Sequence, residues 1–441
     1  MSTGYSAAEQ RGWYFYDWAN SAFYTTVVSV LLGPYLTSLA KAAADASGNV
    51  HLAGIPIAAE SVWPYAVSAS VLTQVLALPL AGALADYGRR KREMMGALAY
   101  IGAAATVAMF FLQGSAWLAG CLLFLVANFT FGASIVVYNS FLPEIAPPEQ
   151  RDTVSSNGWG FGYLGGGVLL ALNLALFSYA GRLGLSEAMA VRVSLASAGV
   201  WWAAFTLIPL ARLKNRGPQK QTAPGESPLR AALRQLAHTF RELPKYPQTL
   251  LFLIAYLIYN DAIQTVITMA VQFGSQELKL PVSDLTATIL MVQFVAFGGA
   301  MAFNRMAGWI GNKRTVICTL VVWCLSLVYI YAGVYGRAQF FGAAAAVATV
   351  LGGSQALSRS IYSFMIPKGR EAEYFSVYEI SDKGTSWFGP LFFGLAFQWT
   401  RSLRVAILSL IAFFAVGILL LARVSVRRAA IEAGNTPPPL D

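Results

Sequence analysis

Residues 14–39 read YFYDWANSAFYTTVVSVLLGPYLTSL, a run whose only charged residue is Asp17. At about 1.5 Å per helical residue the run outreaches a hydrocarbon core of roughly 30 Å. Inside lipid every backbone N–H and C=O must find its partner within the protein, so an isolated run of this length is read as a helix. It has neither a basic leader nor a small-residue cleavage site. It is therefore expected to stay in place as a first span and not to be removed as a signal peptide.

Outward from this stretch the pattern repeats. Apolar runs fall near residues 62–85, 93–113, 116–141, 157–178 and 189–211, and again near 248–272, 284–307, 315–335, 340–366, 374–398 and 403–422. With the first they make twelve expected spans. The fold class is an all-α membrane protein: twelve transmembrane helices in two pseudo-symmetric six-helix bundles. Composition agrees, because 56% of the 441 residues are hydrophobic and 12% charged, about half the charged share of a soluble domain. A water-facing surface cannot be built from so few charges. Cys121, Cys318 and Cys324 sit inside apolar runs and are expected as packed thiols, not as disulfide partners.

The net charge of +10 is not a nucleic-acid footprint, since the basic residues gather in alternate loops. With the N-terminus placed in the cytoplasm, about 23 of the 31 Lys and Arg lie on cytoplasmic loops and helix ends and about 7 outside, with Lys383 inside a span. Both termini are then expected to be cytoplasmic. The stretch from Arg212 to Lys245 carries eight basic residues together with Pro218, Pro224, Gly225 and Pro228. It reads as a cytoplasmic linker with a short amphipathic helix over residues 229–240. The expected organisation is a bundle over 1–211, a linker over 212–247, a bundle over 248–423 and a cytoplasmic tail over 424–441.

The halves echo one another in order, the mark of a duplicated transporter. Asp17 and Asn20 on span 1 are answered by Asp261 and Gln264 on span 7, each an acid with an amide three residues on. The loop Asp86, Tyr87, Gly88, Arg89, Arg90, Lys91 is answered by Gly308 to Arg314, where the acid is missing. Pro148 to Asp152 after span 4 is answered by Pro367 to Glu371 after span 10.

Gly82, Leu84, Ala85, Asp86, Gly88, Arg89, Arg90 and Lys91 resemble the loop 2–3 signature of the major facilitator superfamily. Tyr16 to Ser21, Gly352 to Ser360 and Gly369 to Glu373 are similar to the vacuole-effluxer branch of that superfamily, whose namesakes are autophagy-related amino-acid exporters of fungal vacuoles and which has many bacterial members. The resemblance covers nearly the whole chain. It implies two six-helix bundles flanking a central cavity, alternating access by rocking, and a gating role for Asp86, Arg89 and Arg90.

Acids inside spans are functional candidates, because an ionised carboxylate in hydrocarbon is expensive. Asp261 lies near the middle of span 7 and is the first choice for substrate or proton coupling; the structural alternative is a buried acid satisfied by a Tyr or Asn of a neighbouring helix. Asp17 lies nearer the cytoplasmic end, where its alternative is a first-turn acid favoured by the helix dipole. On span 11, Glu379 and Lys383 are spaced to pair locally. With Asp382 and Arg359 they form either a cytoplasmic gate or part of a substrate site. The expected set is Asp17, Asn20, Asp261, Gln264, Asp382 and Lys383 for substrate or coupling, and Asp86, Arg89, Arg90, Arg359 and Glu379 for gating. Trp13, Tyr16, Asn260, Gln293 and Gln355 are further lining candidates, with an interfacial anchor as the alternative for Trp13.

Gly158, Gly162 and Gly166 leave one face of span 5 smooth for close helix approach. Gly160, Gly162 and Gly165 also match a lone dinucleotide pattern, but that motif needs a strand before it. Neither a Walker loop, nor H-E-x-x-H, nor a paired cysteine ligand motif occurs, so no cofactor and no enzyme activity are expected. The reading is a secondary active transporter, expected as a monomer in a bacterial cytoplasmic membrane, that moves a small solute such as an amino acid or similar zwitterion, with a coupling proton as the candidate energy source. Export of drugs, lipids or cell-wall fragments is the alternative cargo class, and a transporter-like receptor without translocation is the alternative outside transport.

Overall fold

A computed structural model of the chain describes residues 6–87, 90–139, 141–146, 151–216, 241–366 and 387–435, together with residues 227, 230, 234, 237 and 378. Among the described residues the apolar runs form twelve long helices. In the first half these are α1 (Ala7–Ala43), α2 (Val62–Tyr87), α3 (Lys91–Phe111), α4 (Trp117–Asn139), α5 (Arg151–Tyr179) and α6 (Glu187–Arg212). In the second half they are α7 (Pro247–Gln276), α8 (Val282–Ile310), α9 (Asn312–Gly333), α10 (Arg337–Phe364), α11 (Phe388–Thr400) and α12 (Leu403–Arg423), followed by the short α13 (Val426–Glu432). Nine stretches of the described residues are long and apolar enough to cross a membrane. Of the remaining helices, α8 has side chains described without a break only over Val282–Ala296, a stretch that is apolar, and α11 is described only from Phe388.

The helices differ from the expected spans mainly at their ends. Helix α1 begins at Ala7, well before residue 14, because hydropathy detects the apolar part of a helix and not the polar turn with Glu9, Gln10 and Arg11 that precedes it. Within α1 the stretch Phe23–Leu31 is π-helical, and Ser29 Oγ donates to Tyr24 O at 3.0 Å. Several threonine hydroxyls in the spans are satisfied by their own helix: Thr106 bonds Gly102 O, Thr206 bonds Trp202 O and Thr315 bonds Gly311 O, at 2.7 to 2.8 Å. Such back-bonding lets threonine sit in an apolar bundle without a partner on another helix. Phe294 and Trp399 are 74% and 79% exposed, a surface suited to lipid. Cys318 is exposed on the same kind of surface and not packed inside, while Cys121 and Cys324 are half-buried.

Between α1 and α2 the chain makes a hairpin that hydropathy does not reveal: β1 (Asn49–Leu52) pairs antiparallel with β2 (Ile55–Ala58), Asn49 opposite Ala58 and Leu52 opposite Ile55. Ala53 and Gly54 both have positive φ, 50° and 83°, which is the backbone of a two-residue hairpin turn.

The chain forms two compact units, Met1–Gln235 and Leu236–Asp441. In the first, α1 packs on α5 and α6, α3 on α4 and α6, and α2 on α4. In the second, α7 packs on α11 and α12, α9 on α10 and α12, and α8 on α10. Shifted by six helices the five pairings coincide, so the echoes in the sequence correspond to a repeated packing plan. The smooth face of α5 lies on α1: a Cβ on Gly162 would stand 2.7 Å from Ser21 Oγ, and one on Gly166 2.6 Å from Thr25 Oγ1.

Candidate functional site

Each unit holds one of the two echoed acids where its first helix meets its fifth. Asp17 lies well past the first turn of α1, which sets aside the helix-dipole reading. Its Oδ2 accepts the Tyr138 hydroxyl at 2.7 Å. Tyr138, at the end of α4, is buried and stacked on Trp13, with centroids 4.3 Å apart and planes 14° apart. Trp13 Nε1 in turn donates to Tyr138 O at 3.0 Å. Trp13 is only 2% exposed, so it is a core residue and not an interfacial anchor. Opposite stands Gly158 of α5, where a Cβ would lie 2.8 Å from Asp17 Oδ2 and 2.6 Å from the Trp13 ring. Asn20, one helical turn on, is buried with no partner for its Nδ2, and Tyr16 is wholly buried beside Tyr138.

Asp261 occupies the midpoint of α7 and is 2% exposed. Its Oδ2 accepts the backbone N–H of Gly389, in the first described turn of α11, at 2.7 Å. Oδ1 is buried and has no hydrogen-bond partner among the described residues. The approach depends on glycine, because a Cβ at Gly389 would collide with Thr265 Oγ1 and stand 3.0 Å from Asp261 Oδ1. Thr265 itself bonds back to Asp261 O at 2.7 Å. Among the described residues no Tyr or Asn of another helix meets this acid, and the hydrogen bond it receives comes from a peptide N–H. Gln264 is half-buried, and its amide makes no side-chain bond among the described residues; Asn260 is buried, and Gln293 and Gln355 are half-buried.

At the end of the first unit where α1 begins, four charges are drawn together. Lys91, 2% exposed at the start of α3, places Nζ 2.7 Å from Glu144 Oε1. Arg216, just past α6, lies 2.7 Å from Glu9 Oε2 and 4.0 Å from Glu144 Oε2. Glu9 also accepts the Lys214 N–H, and Asn215 bonds Glu93 and the Arg92 N–H. At the matching end of the second unit a half-buried lysine meets a carbonyl and not a carboxylate: Lys313 Nζ donates to Val424 O at 2.7 Å, with Asn312 on Ser360 at 3.2 Å, the Ser425 N–H on Gln248 at 2.7 Å and an exposed Lys245–Glu242 pair at 3.1 Å.

The expected gating residues fare differently. Arg90 is exposed, and its neighbour Lys91 makes the buried pair. Asp86 ends α2 and Arg359 lies in α10, but their side chains are outside the described residues, as are Arg89, Glu379, Asp382 and Lys383 entirely, along with most of the amphipathic stretch 229–240. Tyr378, described on its own, stacks on Tyr256 at 4.4 Å and on Tyr362 at 5.0 Å. Sequence reading missed Tyr138, Gly389, Glu9, Glu144 and Arg216. The available signal was weak: Glu144 and Arg216 are ordinary loop charges, and Gly389 has no spaced companions like those of span 5.

The chain is matched over residues 6–434 by the family described as vacuole effluxer Atg22 like. It is 30% identical over 420 residues to an uncharacterized MFS-type transporter, YxiO, of Bacillus subtilis, covering 94% of each chain. It is 25% identical to autophagy-related protein 22-1 of Phaeosphaeria nodorum, covering 91% of this chain and 87% of that one. Among solved structures the nucleoside transporter NupG superposes with a TM-score of 0.66 at 13% identity, over 94% of this chain and 97% of that one. The all-α architecture of paired six-helix plans is thus a major facilitator fold. The chain belongs to the vacuole effluxer Atg22-like family of major facilitator transporters, and is a membrane transporter and not an enzyme.

Proposed function

We infer that the chain is a secondary active transporter for an amino acid or similar zwitterion, working by alternating access and driven by a proton gradient. The observation that carries this reading is Asp261: a carboxyl at the midpoint of a span, 2% exposed, with one oxygen held by a peptide N–H and the other unpartnered. A group so placed is costly as a bare anion. It is relieved by a proton or by the ammonium of a solute, and exchange between the two couples their movements. The family description supports efflux as the direction. The bundles are assigned to 1–211 and 248–423, with the linker 212–247, the tail 424–441 and both termini in the cytoplasm of a bacterial cell, and the working unit is one chain. Asp17 and Asn20 supply the second polar station, Gln264 an amide beside Asp261, and Asp382 and Lys383 join the coupling set. Asp86, Arg89, Arg90, Arg359 and Glu379 serve gating.

The test is flux of a panel of labelled amino acids in proteoliposomes, with and without an imposed proton gradient. Wild type is expected to move at least one amino acid in a gradient-dependent way. Asp261→Asn keeps the shape and the Gly389 bond and is expected to abolish the gradient dependence. Flux in Asp261→Asn that follows the gradient as in wild type overturns the coupling assignment. Folded wild type that moves no amino acid overturns the substrate class and turns attention to drugs, lipids or cell-wall fragments.

A further inference from the structure

At the end of the first unit opposite the Lys91 and Glu144 pair, a buried arginine stands without a counter-charge. Arg192, in the second turn of α6, is 8% exposed. Its guanidinium lies 5.6 Å from the centre of the Phe110 ring, and Nη2 reaches only the Met189 sulfur, at 3.7 Å. Nε is buried with no hydrogen-bond partner, and no carboxylate of the described residues pairs with the side chain. The nearby Tyr35 hydroxyl donates to Leu112 O at 2.6 Å.

The second unit shows how a half-buried arginine at this end is satisfied. Arg404, at the start of α12, pairs through Nε with Glu277 at 2.7 Å. Its other nitrogens donate to Ile330 O, Tyr331 O and Val334 O, and the Tyr335 ring centre lies 4.3 Å away. Removing a guanidinium from water is costly, and an aromatic face and a thioether offset only a part of that cost. The unfilled donor therefore points to an acceptor supplied from outside the chain.

We propose that Arg192 binds the phosphate oxygens of an anionic ligand at this end of the first unit. A guanidinium fork fits phosphate in two-point geometry. The depth also fits: Arg192 lies five residues inside the start of α6 at Glu187, about 8 Å along a helix, within reach of a headgroup layer for a long side chain turned toward the interface. A lipid headgroup and free phosphate present the same oxygens, and the experiment separates them.

The full-length chain, purified in uncharged detergent, is offered phosphatidylglycerol or phosphatidylcholine in mixed micelles, and separately inorganic phosphate. Retained lipid is read by native mass spectrometry and the melting temperature by tryptophan fluorescence. Wild type is expected to retain phosphatidylglycerol over phosphatidylcholine, with binding about tenfold weaker in Arg192→Met. A melting-temperature rise with inorganic phosphate that Arg192→Met lacks instead assigns the same site to a soluble anion. Arg192→Lys keeps the charge and loses the fork, and is expected to bind with intermediate strength; it carries the test if Arg192→Met fails to fold. Equal binding of both probes by wild type and the variants overturns the proposal, as does wild type that binds neither probe.

Discussion

The first and fifth helices of each unit meet around an acid, but the two acids are held in different ways. Asp17 is met by a side-chain hydroxyl, which is itself fixed by stacking on Trp13 and by an indole bond to its carbonyl. Asp261 is met by a peptide N–H across a glycine, with its second oxygen left over. The helix ends differ as well: among the described residues the first unit buries Lys91 against the Glu144 carboxylate, whereas Lys313 of the second donates to a backbone carbonyl. The packing plan is common to both halves, whereas the polar chemistry laid on it is not. Helix pairing tolerates exchange of one apolar side chain for another, but a buried polar atom needs a specific partner, so duplicated halves diverge first in their polar contacts.

The largest expected effect sharpens the contrast between the two ends. Lys91→Met removes the cation 2.7 Å from the buried Glu144, leaving Arg216 at 4.0 Å, and is expected to destabilise the protein by about 3 to 5 kcal/mol. Lys313→Met removes a bond to a carbonyl and is expected to cost about 1.5 to 3 kcal/mol. Denaturation in graded detergent mixtures compares them, and equal losses would erase the distinction between a lysine held by a carboxylate and one held by a carbonyl. Lys91→Met combined with Glu144→Leu should recover most of the loss, because no uncompensated charge remains.

Smaller effects are expected at the glycines. Gly158→Ala and Gly389→Ala both push a methyl group toward an acid, at a cost of about 1 to 3 kcal/mol each. They should part company in transport. Gly389→Ala displaces the N–H that holds Asp261 and is expected to remove gradient-driven flux, while Gly158→Ala retains part of it. Loss of flux in both at equal stability would make the two acids functionally alike. The smallest effect on transport is expected from Tyr138→Phe, which removes the hydroxyl bond to Asp17 and keeps the stack on Trp13. It is expected to cost about 1.5 to 3 kcal/mol in the same denaturation series, and to leave gradient dependence intact if Asp261 carries the coupling.

Much of this was legible in advance. The helices, the repeat and the two acids follow from runs of apolar residues and from charges that interrupt them, and the spacing of Gly158, Gly162 and Gly166 announced the face that α1 lies against. The ends of α1 and the hairpin of Asn49–Ala58 were not legible. A hydropathy pattern does not register a polar helical turn beyond the lipid, and a four-residue strand is too short to show a period. Trp13 shows the same limit, since an aromatic near a span end reads alike whether it faces lipid or a neighbouring tyrosine.

The sequence by itself determined that this protein lives in a bilayer, that it is helical, that it is built twice over on one plan, and that Asp17, Asp261, Glu379 and Asp382 are the acids that interrupt its spans. These follow from transfer energies that add residue by residue along a span. Only the tertiary structure decided that Asp17 meets Tyr138, 121 residues away, and that Asp261 meets Gly389, 128 residues away. It also decided that Lys91 and not Arg90 is buried, and that Arg404 finds its acid while Arg192 does not. Those outcomes depend on how each helix is turned about its axis and slid along its neighbour. That choice is made by the packing of all side chains at once, and no local period encodes it.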